Sequence, residues 1–598
     1  MMLPKKYKLW IQAALSVLFL LAGGLFKNAE STPQNGNLSQ TRALYVEALR
    51  VLDPEVFTEA LAEASAEALD GKLPNELKST TGPIKCAFGL ANRVRRQWYR
   101  FNTEEQAKLA AMVLRPDLPL SLTSPSGRFK IHYAISGSNG VPPEDLDASG
   151  LPDYVEHAAA ILDSVYNVEV GLLNFKAPPL DDVDGPEWDV YIRNIPGSYG
   201  WTNPDRQLSS HPDVYTSYIE LDNNYTGTPT KGLDGLRITA AHEFFHMIQL
   251  GYNARDDDGD DSFDDQFLME ASCTWMEDRV FDRINDYYYY LPEYFSENDI
   301  PFDRLDGWRE YGLCLWFHFL VKRFETTEIV RSVWDEIISV PAFDANERAL
   351  AKRGSSFAEE LATYYAWNVM TGSRADTVQF YTEGRVYPEM ALDGDGHFRL
   401  DTVLTSQAQP TASRYYRFGQ DDGSSFFLVP VNSDWTSKSG DPRFTMALVN
   451  DDDHPYYTDL NNGVSVRMVA NGFLNFRCTA VAMRPGGQTE MVPFRAEKSD
   501  QNERVLPACF PNPFIPKNHA GVTIPFWLPN PSVVDIRIFD AAGYRIWDEE
   551  KYFTSAGTQY VQWNGRNSRN ETVSGGIYVY VVSTRSAQLR TEKIAVIR

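Results

Sequence analysis

The segment that constrains this chain most is RITAAHEFFHMIQLGYN, residues 237–253, where two histidines flank a glutamate inside an otherwise apolar run. No proline interrupts it, Asp234 is available as a cap and Gly251 as a stop, so a helix is expected over about 233–250. Four residues apart on that helix, His242 and His246 project from one face, one turn apart. Both imidazoles can then reach one tetrahedral zinc, with Glu243 beside it to take a proton from water. The same residues also describe a core helix with two satisfied histidines, and a third ligand separates the two readings. FLMEASCTWMEDRVF supplies Glu270, 24 residues after His246, in a second expected helix at 266–281. Catalytic zinc sites of the His₂Glu type use three such protein ligands and leave one position open. The third histidine of an HxxGxxH extension does not follow HEFFH.

HEFFH followed by LMEASCTWMED resembles the gluzincin zinc peptidases, whose second helix reads Leu-x-Glu-Gly-x-Ala-x-aromatic-x-Glu. Glu270 falls on the family's third-ligand position, and Trp275 and Glu277 on its later aromatic and acidic positions. Ala271 departs from the usual glycine. The resemblance extends over about 125–340, through SPSGRFKIHY, LPDYVEHAAAILDSVY and YGLCLWFHFL, and is closest to secreted bacterial metalloproteases of the immune-inhibitor type. It implies a zincin-like α+β domain, Zn²⁺ on His242, His246 and Glu270, Glu243 as general base, and a protein or peptide substrate. Such enzymes stabilise the oxyanion with a Tyr or His. Tyr311 in REYGLCLW is the first choice here and His318 the second, each of which also reads as a packed interior residue.

At 598 residues the chain exceeds one hydrophobic core. The expected architecture is multidomain, an α+β catalytic domain at 124–390 followed by two all-β sandwich modules. GRFKIHYAIS, WDVYIRNIP and SYIELDNNY alternate as strands, and further helices are expected near 153–172, 309–324 and 328–339. Upstream, Lys5, Lys6 and Lys8 precede an apolar run ending in a small-residue Ala22-Gly23-Gly24 site, which reads as a signal peptide over 1–29. The run is also long enough to approach a membrane anchor. Residues 30–123 carry helical periodicity and fit either a removable prosegment or an N-terminal subdomain. The net charge of −25 argues against a nucleic-acid partner, because phosphate binding needs clustered Lys and Arg. Five scattered cysteines exclude a disulfide scaffold or a Cys-rich zinc module, while one or two disulfides stay open.

DLDASGLPDYVE, residues 145–156, satisfies a calcium-loop pattern: Asp145, Asp147 and Ser149 at positions 1, 3 and 5, Gly150 at the turn, then the Leu151 carbonyl, Asp153 and Glu156. Ca²⁺ there would be structural; the alternative is an Asp/Gly turn entering a helix. The aspartate-rich NARDDDGDDSFDDQ fails the same test and reads as a solvated loop.

Beyond Asp393, short alternating segments such as SSFFLVPV and FTMALVND indicate a sandwich over 391–490, and 491–504 reads as a linker. The module at 505–598 opens on Pro-Asn-Pro-Phe and continues through VTIPFWL, VVDIRIFD, YVQWNGR, GIYVYVV and EKIAVIR. It resembles the immunoglobulin-like C-terminal sorting domains of type IX secretion, with Phe510 where tyrosine is usual. That resemblance implies contact with an export machinery and localisation outside the cell or on its surface; no segment after the leader is apolar enough to span a bilayer, so no stable transmembrane segment is expected in the mature chain. The principal expectation is a secreted zinc endopeptidase. The rivals are an inactive surface adhesin on a protease scaffold, or a zinc hydrolase of another amide or ester.

Overall fold

In the computed structural model the described residues are 38–58, 60, 84–257, 259, 262–397, 403–419, 425–432, 435, 444–450, 469–470, 474–479, 509–517, 519, 521–528, 530–541, 543–584 and 588–598. The expected leader at 1–29, the linker at 491–504 and much of the 391–490 module lie outside them. The chain is mixed α/β with several sheets and divides into two compact units. The first takes the described residues of Met1–Tyr289, Leu305–Phe317 and Val330–Ala345; the second takes Tyr290–Arg304, His318–Ile329 and Asn346–Arg598.

The first unit begins with α1 (Leu38–Leu52), β1 (Ile84–Cys86), α2 (Phe88–Arg96) and α3 (Thr103–Val113). A capping box starts α3: Asn102 accepts from the N–H groups of Glu104 and Glu105, and Glu105 accepts from Asn102 N–H. There follow β2 (Leu120–Thr123), β3 (Phe129–Tyr133), α4 (Asp153–Tyr166), β4 (Trp188–Arg193), β5 (Ser198–Leu208), β6 (His211–Asp222), α5 (Gly232–Tyr252) and α6 (Gln266–Val280). The six strands form one mixed sheet in the order β1-β5-β6-β4-β3-β2. β1–β5, β6–β4 and β4–β3 are parallel, and the other two pairings are antiparallel.

α5 is buried almost throughout because it packs on β5 and β6 and also against α4 and α6. Gly200 on β5 permits that approach: a Cβ there would lie 2.6 Å from the Glu220 carbonyl oxygen and 2.9 Å from Thr239 Cγ2. Two expectations about α5 are corrected. Lys231 occupies the cap position while Asp234 sits inside the first turn, bonded by Arg237. Gly251 lies within the helix, where a Cβ would meet Pro179 Cδ at 2.7 Å, so close packing and not termination requires it.

α4 runs into a π-helical turn, Asn167–Leu172, that buries Glu169 completely. Neither carboxylate oxygen of Glu169 has a hydrogen-bond partner among the described residues, and burial pushes its pKa well up. The folded protein therefore binds a proton that the unfolded chain releases near the ordinary Glu value. Stability falls as pH rises above that value towards the folded pKa, by at most about 1.4 kcal/mol per pH unit. Glu169→Gln is expected to flatten this slope between pH 5 and 8 (roughly the window set by the unfolded Glu value), as read by urea unfolding at each pH. An unchanged slope would show that Glu169 is charged and compensated in the folded state.

The second unit contains α7 (Leu291–Ser296) and α12 (Phe357–Val369); α8 (Arg309–Gly312) belongs to the first, and α9 (Cys314–Phe324), α10 (Glu328–Ile337) and α11 (Ala342–Ala351) supply residues to both. Next come β7 (Gly394–His397), β8 (Val403–Ala408), β9 (Tyr416–Gly419), β10 (Ser425–Asn432), β11 (Phe444–Asn450), β12 (Val469–Ala470) and β13 (Leu474–Thr479). They form sheets ordered β11-β10-β9-β7 and β12-β13-β8, antiparallel except for the parallel β7–β9 pair. The C-terminal stretch holds β14 (Val522–Leu528), β15 (Ser532–Asp540), β16 (Arg545–Phe553), β17 (Gly557–Trp563), β18 (Gly576–Thr584) and β19 (Gln588–Val596). Its two sheets, β14-β17 and β16-β15-β18-β19, share one core containing Ile524, Phe526, Trp563, Ile536, Tyr580 and Ile594. No described helix is long and apolar enough to cross a membrane.

Candidate metal centre

α5 and α6 lie side by side and turn three expected ligands onto one point. His242 Nε2 is 3.1 Å and His246 Nε2 3.5 Å from the same oxygen, Glu270 Oε2. The two imidazoles meet edge-on, with centroids 4.9 Å apart. A fourth donor arrives from β1: Cys86 Sγ is 3.5 Å from His246 Nε2. The donor atoms of Cys86, His242, His246 and Glu270 all lie within 4.8 Å of one another, and all four residues are buried.

The outer hydrogen bonds leave both Nε2 atoms facing this point. His242 Nδ1 meets Glu277 Oε1 at 2.7 Å, and His246 Nδ1 meets Gln249 Oε1 at 2.7 Å. The Gln249 amide group donates to Met269 O and Ser272 Oγ, so its Oε1 must accept and His246 Nδ1 must carry the hydrogen. Glu277 in turn accepts from Lys85 Nζ at 2.9 Å, and Lys85 also pairs with Asp286. Asp286 takes further hydrogen bonds from Tyr199 and Thr230. Burial would raise the Asp286 pKa, but the Lys85 ammonium and these donors hold it below the usual value.

His242 and Glu270 stabilise one another's charged forms. Burial opposes ionisation of Glu270, yet the two histidines draw its pKa down to about 2. Burial would lower the His242 pKa, but its bonds to Glu270 and Glu277 raise it to about 9. Two imidazole nitrogens, a carboxylate oxygen and a thiol sulfur make a donor set that suits zinc, and the outer partners at both Nδ1 atoms are those a ligating histidine needs. Gln249→Leu is expected to weaken metal affinity about 10–100-fold by orphaning His246 Nδ1, as measured by competition with a chelator. Unaltered affinity would remove Gln249 from the centre.

Glu243 stands beside the ligands. Its Oε2 is 2.9 Å from Thr202 Oγ1, whose hydroxyl also lies 2.8 Å from the Glu243 carbonyl oxygen. Burial raises the Glu243 pKa, against the opposing pull of His242 and His246. The Tyr311 ring lies 6.4 Å from that of His242, and its hydroxyl accepts from Cys86 N–H at 3.4 Å. His318 falls in the second unit, where burial lowers its pKa to about 4.

Asp145, Asp147 and Asp153 also converge, their carboxylates within 4.8 Å of one another near the surface. The N–H groups of Leu146, Ser149 and Gly150 donate to these carboxylates, and Gly150 adopts φ +84° at the turn. Ser149 Oγ is 3.5 Å from Leu151 O, and Glu156 lies outside the aspartate group on the first turn of α4.

The reading from sequence missed Cys86, which lies 160 residues before His246. It is a free, buried thiol, as are Cys273, Cys314 and Cys509, so none of these four forms a disulfide. A lone cysteine without a CxxC partner gives no ligand signal.

No protein-family model matches the chain, and no curated protein matches it. Two solved structures from Porphyromonas gingivalis share local similarity. PorZ, a surface component of the type-IX secretion system, is 17% identical over 31% of this chain and 23% of its own, with a TM-score of 0.13. Dimeric latent PorU is 12% identical over 29% of this chain and 24% of its own, with a TM-score of 0.14. This chain thus spans about a quarter of either neighbour, and at these scores neither informs its fold or role.

Proposed function

We propose that the chain is an exported zinc-dependent endopeptidase whose metal is held by His242, His246 and Glu270. The convergence of their three donor atoms beside the Glu243 carboxylate carries this reading. Zinc at that point supplies Lewis acidity, acidifying water and polarising a carbonyl. Glu243 takes the proton from the attacking water and returns it to the departing amine. Thr202 orients Glu243 through the 2.9 Å hydrogen bond, and Tyr311, whose ring lies 6.4 Å from that of His242, is assigned as the oxyanion donor. Glu277 and Gln249 keep the ligand imidazoles in the required tautomer.

Export is supported by the leader-like N-terminus and by the resemblance of 505–598 to type IX sorting domains. The loop at 145–156 is assigned a structural Ca²⁺ on the strength of its pattern and its three converging carboxylates. Stoichiometric zinc together with casein cleavage lost on chelation is the expected result. Zinc bound without hydrolysis of any peptide, both by the intact chain and after limited proteolysis of it, would overturn the peptidase assignment.

A further inference from the structure

Lys85, Cys86 and Phe88 all meet residues of the candidate metal centre. Cys86 brings its sulfur into the donor cluster, and its N–H engages the Tyr311 hydroxyl. Lys85 is buried between Glu277, the partner of His242, and Asp286. The Phe88 ring stacks on His246 with centroids 4.2 Å apart, and Phe88 N–H donates to Cys86 Sγ at 3.3 Å. The backbone is engaged as well. β1 pairs with β5 at Ile84↔Ser198 and Cys86↔Gly200, covering the edge that β5 would otherwise present. An extended peptide substrate needs such an unpaired strand edge for its own main-chain hydrogen bonds. β1 holds that edge within two residues of Thr202, the partner of Glu243.

The stretch that delivers Cys86 belongs to the same compact unit as the main sheet but carries a core of its own. α1, α2 and α3 share a core that includes Leu44, Leu49, Leu90, Val94, Leu109 and Met112, joined among the described buried residues by Ala60, Ala87 and Phe101 and by Ile195 and Trp201 from further along the chain. Residues 114–119 then lead to β2 without regular structure, with Leu114, Asp117 and Pro119 exposed. Within this connector, Arg115 is bound by Asp181, Asp189 and Asp205, which ties the end next to α3 to the main sheet.

We propose that the described residues of α1, 84–88, α2 and α3 act as a built-in inhibitor and that Cys86 is the fourth protein ligand of the metal, closing the position that water needs. This rests on the metal-centre reading above. On coordination the thiol gives its proton to solvent and the sulfur lone pair fills the site. Displacing 84–88 returns that position to water, frees Tyr311 and opens the edge of β5. Cleavage of the exposed connector by an endopeptidase, adding one water across one peptide bond, severs the module from the rest of the chain.

The test uses the full chain with Co²⁺ exchanged for zinc. A sulfur-to-cobalt charge-transfer band in the near ultraviolet is expected in the wild type. Cys86→Ser is expected to lose that band, keep the visible bands of four-coordinate cobalt, and cleave casein at least about tenfold faster, since a closed site leaves only a small competent fraction. Should Cys86→Ser fail to fold, a Cys478→Ser chain decides alone, because Cys273, Cys314 and Cys509 lie outside the donor cluster. Bound cobalt without the sulfur band overturns the inference and leaves the three-ligand centre standing. Failure to bind cobalt at all overturns the metal centre itself. In a second arm, a site-specific protease sequence is inserted between Asp117 and Leu118. Cutting it and removing the N-terminal fragment is expected to abolish the band and raise activity together; unchanged activity after removal would refute the inhibitory role.

Discussion

Glu243→Gln, assayed on the active form, is expected to lower kcat/KM for casein by about 10²–10⁴-fold while leaving metal content and thermal stability unchanged. The substitution keeps the shape of the side chain and an oxygen able to accept from Thr202 Oγ1, now at 2.9 Å from Glu243 Oε2. It removes only the basicity, and so separates proton transfer from metal binding. A loss confined to KM would assign Glu243 to substrate binding. A parallel loss of metal would place it among the ligands. The buried, raised carboxyl suits a group that must both take and release a proton.

Lys85→Met is expected to destabilise the first unit by about 3–5 kcal/mol, because breaking one side of a buried ion cluster leaves the opposing charges uncompensated. Lys85 Nζ serves two carboxylates at once, Glu277 and Asp286, and all three side chains are at most 3% exposed. Methionine keeps most of the stem volume, so the loss reports charge and not packing. Thermal unfolding of that unit should shift down by about 6–20 °C. Adding Asp286→Asn should recover part of the loss, since the remaining carboxylate still has His242 Nδ1 as partner. A shift below about 1 °C would mean that water or another cation compensates the carboxylates, and Lys85 would then be no anchor for β1.

Most of the candidate centre was legible in the sequence because three of its four donor residues sit on two helices close in the chain. Helical periodicity alone puts His242 and His246 on one face, and the next helix carries Glu270. The strands at VVDIRIFD and GIYVYVV were legible for a similar local reason, since every second residue in their middles enters a shared core, while VTIPFWL is buried almost throughout and sends Val522, Ile524, Phe526 and Leu528 into that core. β16 was missed because RIWDEEKYF is a charged, largely exposed edge strand whose pattern does not alternate. β5 was missed as well. Gly200, Asn203 and Pro204 break its apolar pattern, and the register shifts between Pro204 and Gln207, where proline is tolerated.

By itself the sequence determined the two ligand helices, the spacing of His242, His246 and Glu270, and the strand pattern of the C-terminal module, since each follows from periodicity within one or two neighbouring elements. Only the tertiary structure decided that Cys86 reaches His246, that Lys85 bridges Glu277 and Asp286, and that β1 covers β5. β1 is three residues long, too short to carry a pattern, and its position comes from parallel pairing with β5, more than a hundred residues away. Contacts of that kind are set by which surfaces the folded units bring together, and no local propensity encodes them.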